Sequence, residues 1–180
     1  MSRPNPAEAV KLIMSLFSCE EALINEALEV LFRSYGEVDF VSPLFNFAYT
    51  DYYTKEMGTD LVRRFVSFSE LIPPEGIPDI KLATNAVEAD HTENDKRRLN
   101  IDPGYIARAH LILATGKGYT HRPYLRGGIY ADLTLIFQGG SFKSLPWTYP
   151  DYGSPAVIDM LHRIRKKYLE QLRMLRDILT

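Results

Sequence analysis

The alternation of apolar and polar positions divides the chain into a short list of elements. Residues 11–17, Lys-Leu-Ile-Met-Ser-Leu-Phe, form an apolar run that suits a buried strand. Ser18 and Glu21 then stand at capping-box spacing, and Ile24, Ala27, Leu28, Leu31 and Tyr35 recur at helical spacing before Gly36, which predicts a helix over 19–35. Segment 37–47 is extended and aromatic, with Pro43 arguing against a regularly paired central strand. A strand is expected over 64–71, a turn at 73–76 and a helix over 78–89, with Pro78 near its start. Residues 91–98 are polar throughout and read as a solvated loop. Residues 97–101 return to strand, and Asp102-Pro103-Gly104 is a turn signal. Segment 105–115 is buried whether helix or strand.

The clearest strand is 127–138. Ile129, Ala131, Leu133, Leu135 and Phe137 share one face; Tyr130, Asp132, Thr134 and Gln138 share the other, with Ile136 the exception. After the turn-rich stretch 146–153, Ser154 and Pro155 open a helix over 155–179, apolar at Val157, Leu161, Ile164, Tyr168, Leu172, Leu175 and Leu179. At 1.5 Å per residue such a helix is about 38 Å long, more than a small domain needs. No repeat or linker interrupts the pattern. The expected fold is therefore α+β: one domain over 1–180, with a mixed, mainly antiparallel sheet, packed helices and a long C-terminal helix over 155–179. A doubly wound parallel sheet is the alternative, weakened by the lack of regular strand–helix alternation in mid-chain.

Composition sharpens this picture by exclusion. The chain has 180 residues, ample for one core without disulfides or structural metal. Cys19 is the only cysteine, which rules out an intramolecular disulfide and fits a reducing cytosol, so a cytoplasmic location is expected. No apolar run reaches the roughly 20 residues of a membrane span, and the opening Met-Ser-Arg-Pro is no signal peptide. The net charge of −2 is unevenly spread: residues 1–90 carry 7 basic and 15 acidic groups, residues 91–180 carry 14 and 8. With no basic tail and no block of like charge, a nucleic-acid partner is not expected.

Several motifs fail on inspection. Ala114-Thr-Gly-Lys-Gly118 lacks the first glycine of a phosphate loop, where Leu111 stands, and the Ser or Thr after the lysine, where Gly118 stands. Cys19 at a helix start is flanked by Glu20 and Glu21, which oppose a low thiol pKa. His91-x-Glu93-x-Asp95 offers metal-ligating types in a polar loop and reads as solvated charge. A denser set lies on turns and strand ends. Its carboxylates, histidine, arginines and phenols are what a polar pocket needs. From it, His121 is the candidate acid/base, with Asp102 and Asp132 to orient it or hold a divalent ion. Candidate ligand-binding residues are Lys55, Arg97, Arg98, Tyr105, Arg122, Tyr124, Tyr130, Trp147, Tyr149 and Asp151.

The stretches Phe40-Val-Ser-Pro-Leu-Phe45, Thr50-Asp-Tyr-Tyr53, Asn100-Ile-Asp-Pro-Gly-Tyr105, Gly128-Ile-Tyr-Ala131 and Pro146-Trp-Thr-Tyr-Pro-Asp-Tyr152 closely resemble the domain of unknown function 4416 family, in matching order from about residue 10 to 168. The resemblance implies a bacterial cytosolic protein and brings no assigned catalytic residue. A GTP-binding label that accompanies some members finds no phosphate loop or Asn-Lys-x-Asp element here. It does place the polar constellation inside the family's own motifs. The expected function is thus an enzyme or ligand-binding domain for a small anionic metabolite, with a divalent metal as the candidate cofactor. The alternative is an interaction protein that assembles, as a homodimer, through its C-terminal helix.

Overall fold

The computed structural model describes residues 3–47 and 54–179. Eleven strands and four helices follow in chain order. They are β1 (Val10–Ser18), α1 (Glu21–Tyr35), β2 (Val38–Val41), β3 (Phe45–Asn46), α2 (Thr54–Met57) and β4 (Val62–Ile72); then α3 (Ile77–Asp90), β5 (Thr92–Glu93), β6 (Lys96–Arg97), β7 (Asn100–Ile106) and β8 (His110–Thr115); and finally β9 (Tyr124–Arg126), β10 (Ile129–Gln138), β11 (Ser141–Ser144) and α4 (Pro155–Leu179). The main sheet runs β11-β10-β8-β7-β1-β4-β2, with β3 on β4 and β9 on β10, and its pairings are antiparallel. This is the α+β single domain expected from the sequence.

β1 explains its own composition. It lies mid-sheet between β4 and β7, so both of its faces are covered. Leu12, Met14 and Leu16 point into a core with Ile24, Ala27 and Leu31 of α1 and Ile77 and Ile80 of α3. Ile13 points the opposite way, into a second core with Phe65, Ile106 and the Val157, Leu161, Ile164 and Tyr168 stripe of α4. A strand buried on both sides has no reason to alternate.

Four local expectations change. Ser18 does not cap α1 through a capping box: the N-cap position is Glu20, and Ser18 Oγ instead accepts from Glu20 N–H (3.0 Å) and donates to Arg98 C=O (2.6 Å). Residues 91–98 are no open loop, because β5 and β6 form a hairpin whose turn, Asn94-Asp95, has φ of 50° and 59°. Asn and Asp tolerate that left-handed backbone, and it matches strand twist. The faces of β10 also swap midway. Thr134 is an extra residue opposite β8, between Leu133↔Ile112 and Leu135↔Leu111, so Ile129 joins the α1/α3 core and Leu135 the α4 core.

The fourth change creates the site. Asp102-Pro103-Gly104 is not a turn; it runs through the middle of β7. β7 pairs with β1 over its whole length, Phe17↔Asn100 to Lys11↔Ile106, but with β8 only from Gly104 to Ile106. Beyond Gly104 the two strands part. Pro103 is tolerated because its missing N–H faces the unpaired edge rather than the ladder. Gly104 is required at the parting point: a Cβ there would lie 2.3 Å from Ile112 C=O. The open edge is covered from α3, where Glu88 Oε1 accepts Ile101 N–H (2.8 Å) and Lys81 Nζ donates to Ile101 C=O (2.7 Å). Those backbone groups would otherwise be orphaned.

Candidate functional site

The split between β7 and β8 opens a cavity of about 360 Å³ that passes through the sheet. Lys81, Asn85 and Glu88 of α3 close it on one side; Tyr149, Pro150, Asp151 and Tyr152 cover the other. Asn100 and Asp102 of β7 face the β8 end and its following turn, Leu113 to Lys117, across the gap. The remaining wall comes from Phe47, Arg63, Arg97, Arg122 and Asp132. A volume of this order suits a small metabolite.

The sheet register fixes which side chains meet. Arg63, Phe17 and Asn100 form one cross-strand row, and Phe65, Ser15 and Asp102 the next, on the α4 side of the sheet. Tyr152 lies edge-on to Phe65, with ring centroids 5.7 Å apart. The Arg63 guanidinium is packed over Phe47 (4.0 Å) and Phe17 (5.1 Å) and forms a buried ion pair with Asp151. Arg97 Nη1 donates to Asn100 Oδ1 (3.0 Å), which fixes the amide so that Asn100 Nδ2 faces elsewhere. That Nδ2 and Arg63 Nε are buried with no hydrogen-bond partner. Tyr152 Oη is likewise without one, interacting with the unpartnered Ser15 Oγ short of hydrogen-bond geometry. Burial first, and then the neighbouring Asp102 and Asp151 carboxylates, push the Tyr152 phenol far above its usual pKa, so it stays protonated and able to donate.

Other charges around the cavity are already matched. Arg97 makes a bidentate pair with Glu56 (2.7 and 2.8 Å), whose carboxyl is held below its ordinary range chiefly by that bond. Arg122 Nε donates to Asp132 Oδ2 (2.8 Å), and its Nη1 to Lys117 C=O (3.1 Å). Lys81 also approaches Glu88 (3.4 Å) and Asp102 (3.9 Å).

Of the residues singled out from sequence, Asp102, Asp132, Arg97, Arg122, Tyr149 and Asp151 line the cavity. His121 stands behind Asp132, its Nε2 3.8 Å from Oδ1, and stacks on Trp147 at 4.7 Å with the rings 13° apart. Neither ring is part of the cavity wall. Trp147 donates Nε1–H to Leu133 C=O (2.8 Å) at the β10 bulge. The structure does not bring the rest in. Arg98 pairs with Glu20 and Glu93 at the surface, and Tyr105 turns to the α1/α3 core beside Leu12. Tyr124 and Tyr130 pack on each other, ring centroids 5.3 Å apart, away from the wall. The side chain of Lys55, and all of Asp51, Tyr52 and Tyr53, lie outside the described residues. Among the described residues no group of three His, Cys, Asp or Glu is placed to hold a metal ion.

Sequence reasoning missed Arg63, Lys81 and Glu88, whereas Asn100 and Tyr152 lie in the polar stretches it drew together but were not singled out. A signal for two of them exists: Ile77, Ile80, Lys81, Thr84 and Glu88 are the buried stripe of α3, so charge sits on a helix face that packs inward. No helix among the described residues is long and apolar enough to cross a membrane. No curated protein and no solved structure matches this chain. The motifs around the split, Asn100 to Tyr105 and Pro146 to Tyr152, lie within residues 8–168, which match one family model, and the chain belongs to that family, Domain of unknown function (DUF4416).

Proposed function

We propose that this protein binds a small anionic molecule in the cavity at the β7–β8 split. One observation carries the proposal: Arg63, Asn100 and Tyr152 line the cavity, and Arg63 Nε, Asn100 Nδ2 and Tyr152 Oη, all able to donate, are buried without partners among the described residues. An unsatisfied buried polar group costs about 1–3 kcal/mol, and an anion offering acceptors to all three offsets that cost. Thermal unfolding with a panel of small carboxylates and phosphates tests it. At a hundredfold excess over Kd a ligand adds about 2.7 kcal/mol of stability, roughly 5–10 °C in Tm for a domain of this size. Asn100→Asp, which aims a carboxylate at the anion, is expected to abolish the shift. If no anion raises Tm, the proposal falls.

A catalytic version of this reading keeps His121 as the acid/base, acting through Asp132, the wall residue it stands behind, with Asp102 against the substrate. What favours it is the buried His121 Nε2, without a hydrogen-bond partner and 3.8 Å from Asp132. His121→Gln would then abolish turnover of a bound ligand while leaving its Kd within about twofold.

A bacterial, cytoplasmic setting is supported by the single unpaired cysteine and the family resemblance. Self-association is proposed through the C-terminal end of α4, where Met174 and Leu175 are exposed.

A further inference from the structure

The residues that carry these donors share the cavity lining with an acceptor that is also unused. Asp102 lies two residues from Asn100 on the same side of β7, about 6–7 Å along the strand. Among the described residues its carboxylate makes no hydrogen bond, and its one ion-pair neighbour is Lys81 at 3.9 Å. Lys81 is itself engaged by Ile101 C=O at 2.7 Å and Glu88 at 3.4 Å. By contrast Asp132 and Asp151, the other aspartates on the wall, are each bonded to an arginine. Asp102 is therefore the one aspartate of the wall free to accept a hydrogen bond from a ligand. It stands beside the row that holds the orphaned Arg63 and Asn100 donors, with Tyr152 across from it.

Charge balance narrows the ligand further. Arg63, Lys81, Arg97, Lys117 and Arg122 line the cavity together with Glu88, Asp102, Asp132 and Asp151, and Glu56 neutralises Arg97 from behind. Such a wall carries no net charge, five basic groups against five acidic ones. It suits a ligand carrying one negative charge and disfavours a polyanion, which would bring like charge against four carboxylates.

Resting on the anion-binding reading, we infer that the ligand is a small carboxylate bearing a hydroxyl or ammonium group within one or two carbons of its carboxyl carbon. The carboxylate takes the Arg63, Asn100 and Tyr152 donors, and the hydroxyl or ammonium donates to Asp102. A site built to accept a ligand's hydrogen bond rejects the analogue lacking it, because the buried acceptor is then left unpaired.

Calorimetric titration of the full chain with matched pairs tests this: lactate or alanine against propanoate, 3-hydroxybutanoate against butanoate, and phosphoglycolate as the polyanion. The substituted member of a pair is expected to bind at least about tenfold tighter than its parent, and phosphoglycolate more weakly than lactate. Asp102→Ala should bring the pair within about twofold. Asp102→Asn keeps an oxygen acceptor but not the charge, so it should spare the hydroxy acid and weaken the amino acid; it also serves if Asp102→Ala fails to fold. Equal binding of a pair by the unaltered protein overturns the inference. So does a preference that survives both variants, or tighter binding of phosphoglycolate. In each of these cases anion binding that Asn100→Asp still abolishes leaves the broader reading standing. If no carboxylate or phosphate binds at all, both fall together.

Discussion

Asp151 and Arg63 are each about 5% exposed, and the aromatic rings around the guanidinium leave water little access to their ion pair. Removing one partner of such a pair strands the other charge, whereas replacing both with apolar groups does not. Asp151→Ala should therefore lower stability by about 3–5 kcal/mol in urea unfolding, and Arg63→Met combined with Asp151→Leu should restore most of it. A single-variant loss under about 1 kcal/mol would show the pair to be solvated. Trp147 behaves differently. At 38% exposure it has one stacking partner and one hydrogen bond, so Trp147→Ala should cost about 1–2 kcal/mol, not the 3–5 of a fully buried indole. His110 supplies the pH dependence near neutrality. Burial lowers its pKa from 6.5, so below that value the unfolded chain binds a proton that the folded one refuses. Stability must then fall as pH drops from about 7 toward 5, and His110→Gln should flatten that limb. Glu8, Asp39 and Glu56 are also held below their ordinary range, but they release stability only as pH falls further, through the carboxylate region. At this scale the sequence showed Asp102, Asp132, Arg122 and Asp151 by their place in turns and strand ends. It hid Arg63 and Lys81, because a cation amid apolar neighbours looks like an exposed residue until the fold buries it.

Among the elements, β7 holds most of what was hard to foresee. Pro and Gly inside a strand ordinarily weaken it, and Asp-Pro-Gly is common turn chemistry. Both residues are accommodated because the ladder to β8 ends at Gly104, so the proline has no bond to forfeit there. That requires knowing where β8, whose Leu113 pairs with Gly104, departs, which is tertiary information. Gly104→Ala tests the account. Its Cβ would meet Ile112 C=O at 2.3 Å and Leu113 Cδ2 at 2.7 Å, and backbone cannot swing aside as a flexible side chain can. A loss of about 3 kcal/mol in urea unfolding is expected, the upper end of overpacking costs. A neutral result would mean that β7 and β8 separate more easily than their pairing indicates. The reversal of β10 at Thr134 was invisible for a related reason. A bulge inserts one residue without disturbing the local polar pattern, and only the identity of the core beyond it reveals the flip. β1, α1 and α4 were legible because a two-sided apolar run and a helical stripe are set by local spacing alone.

Across the whole molecule, the acidic N-terminal half and the basic C-terminal half are laced together: Glu20 with Arg98, Glu56 with Arg97, Asp79 with Arg126, Glu8 with Arg108. These pairs engage part of the opposing charge within the chain rather than between copies. That leaves α4. Its stripe is claimed by the domain's own core as far as Leu172, with Tyr168 donating to Ala9 C=O (2.9 Å) and Gln171 to Ser69 C=O (2.5 Å). Among the described side chains toward its end, Met174 and Leu175 are the exposed apolar ones. Burying these two from each of two protomers gives at most about 6–12 kcal/mol, against an association cost of about 4–15. Against a mid-range cost of about 8 kcal/mol the upper figure leaves a net of about 4 kcal/mol, a Kd near 1 mM. Sedimentation velocity should accordingly find a monomer at about 20 µM and a rising average mass as concentration approaches about 1 mM. Leu175→Glu, an exposed substitution that leaves Leu172 in place, should hold the chain monomeric throughout. A dimer already complete at tens of micromolar would require a larger surface than the end of α4, and a monomer at every concentration would remove self-association from the protein's repertoire.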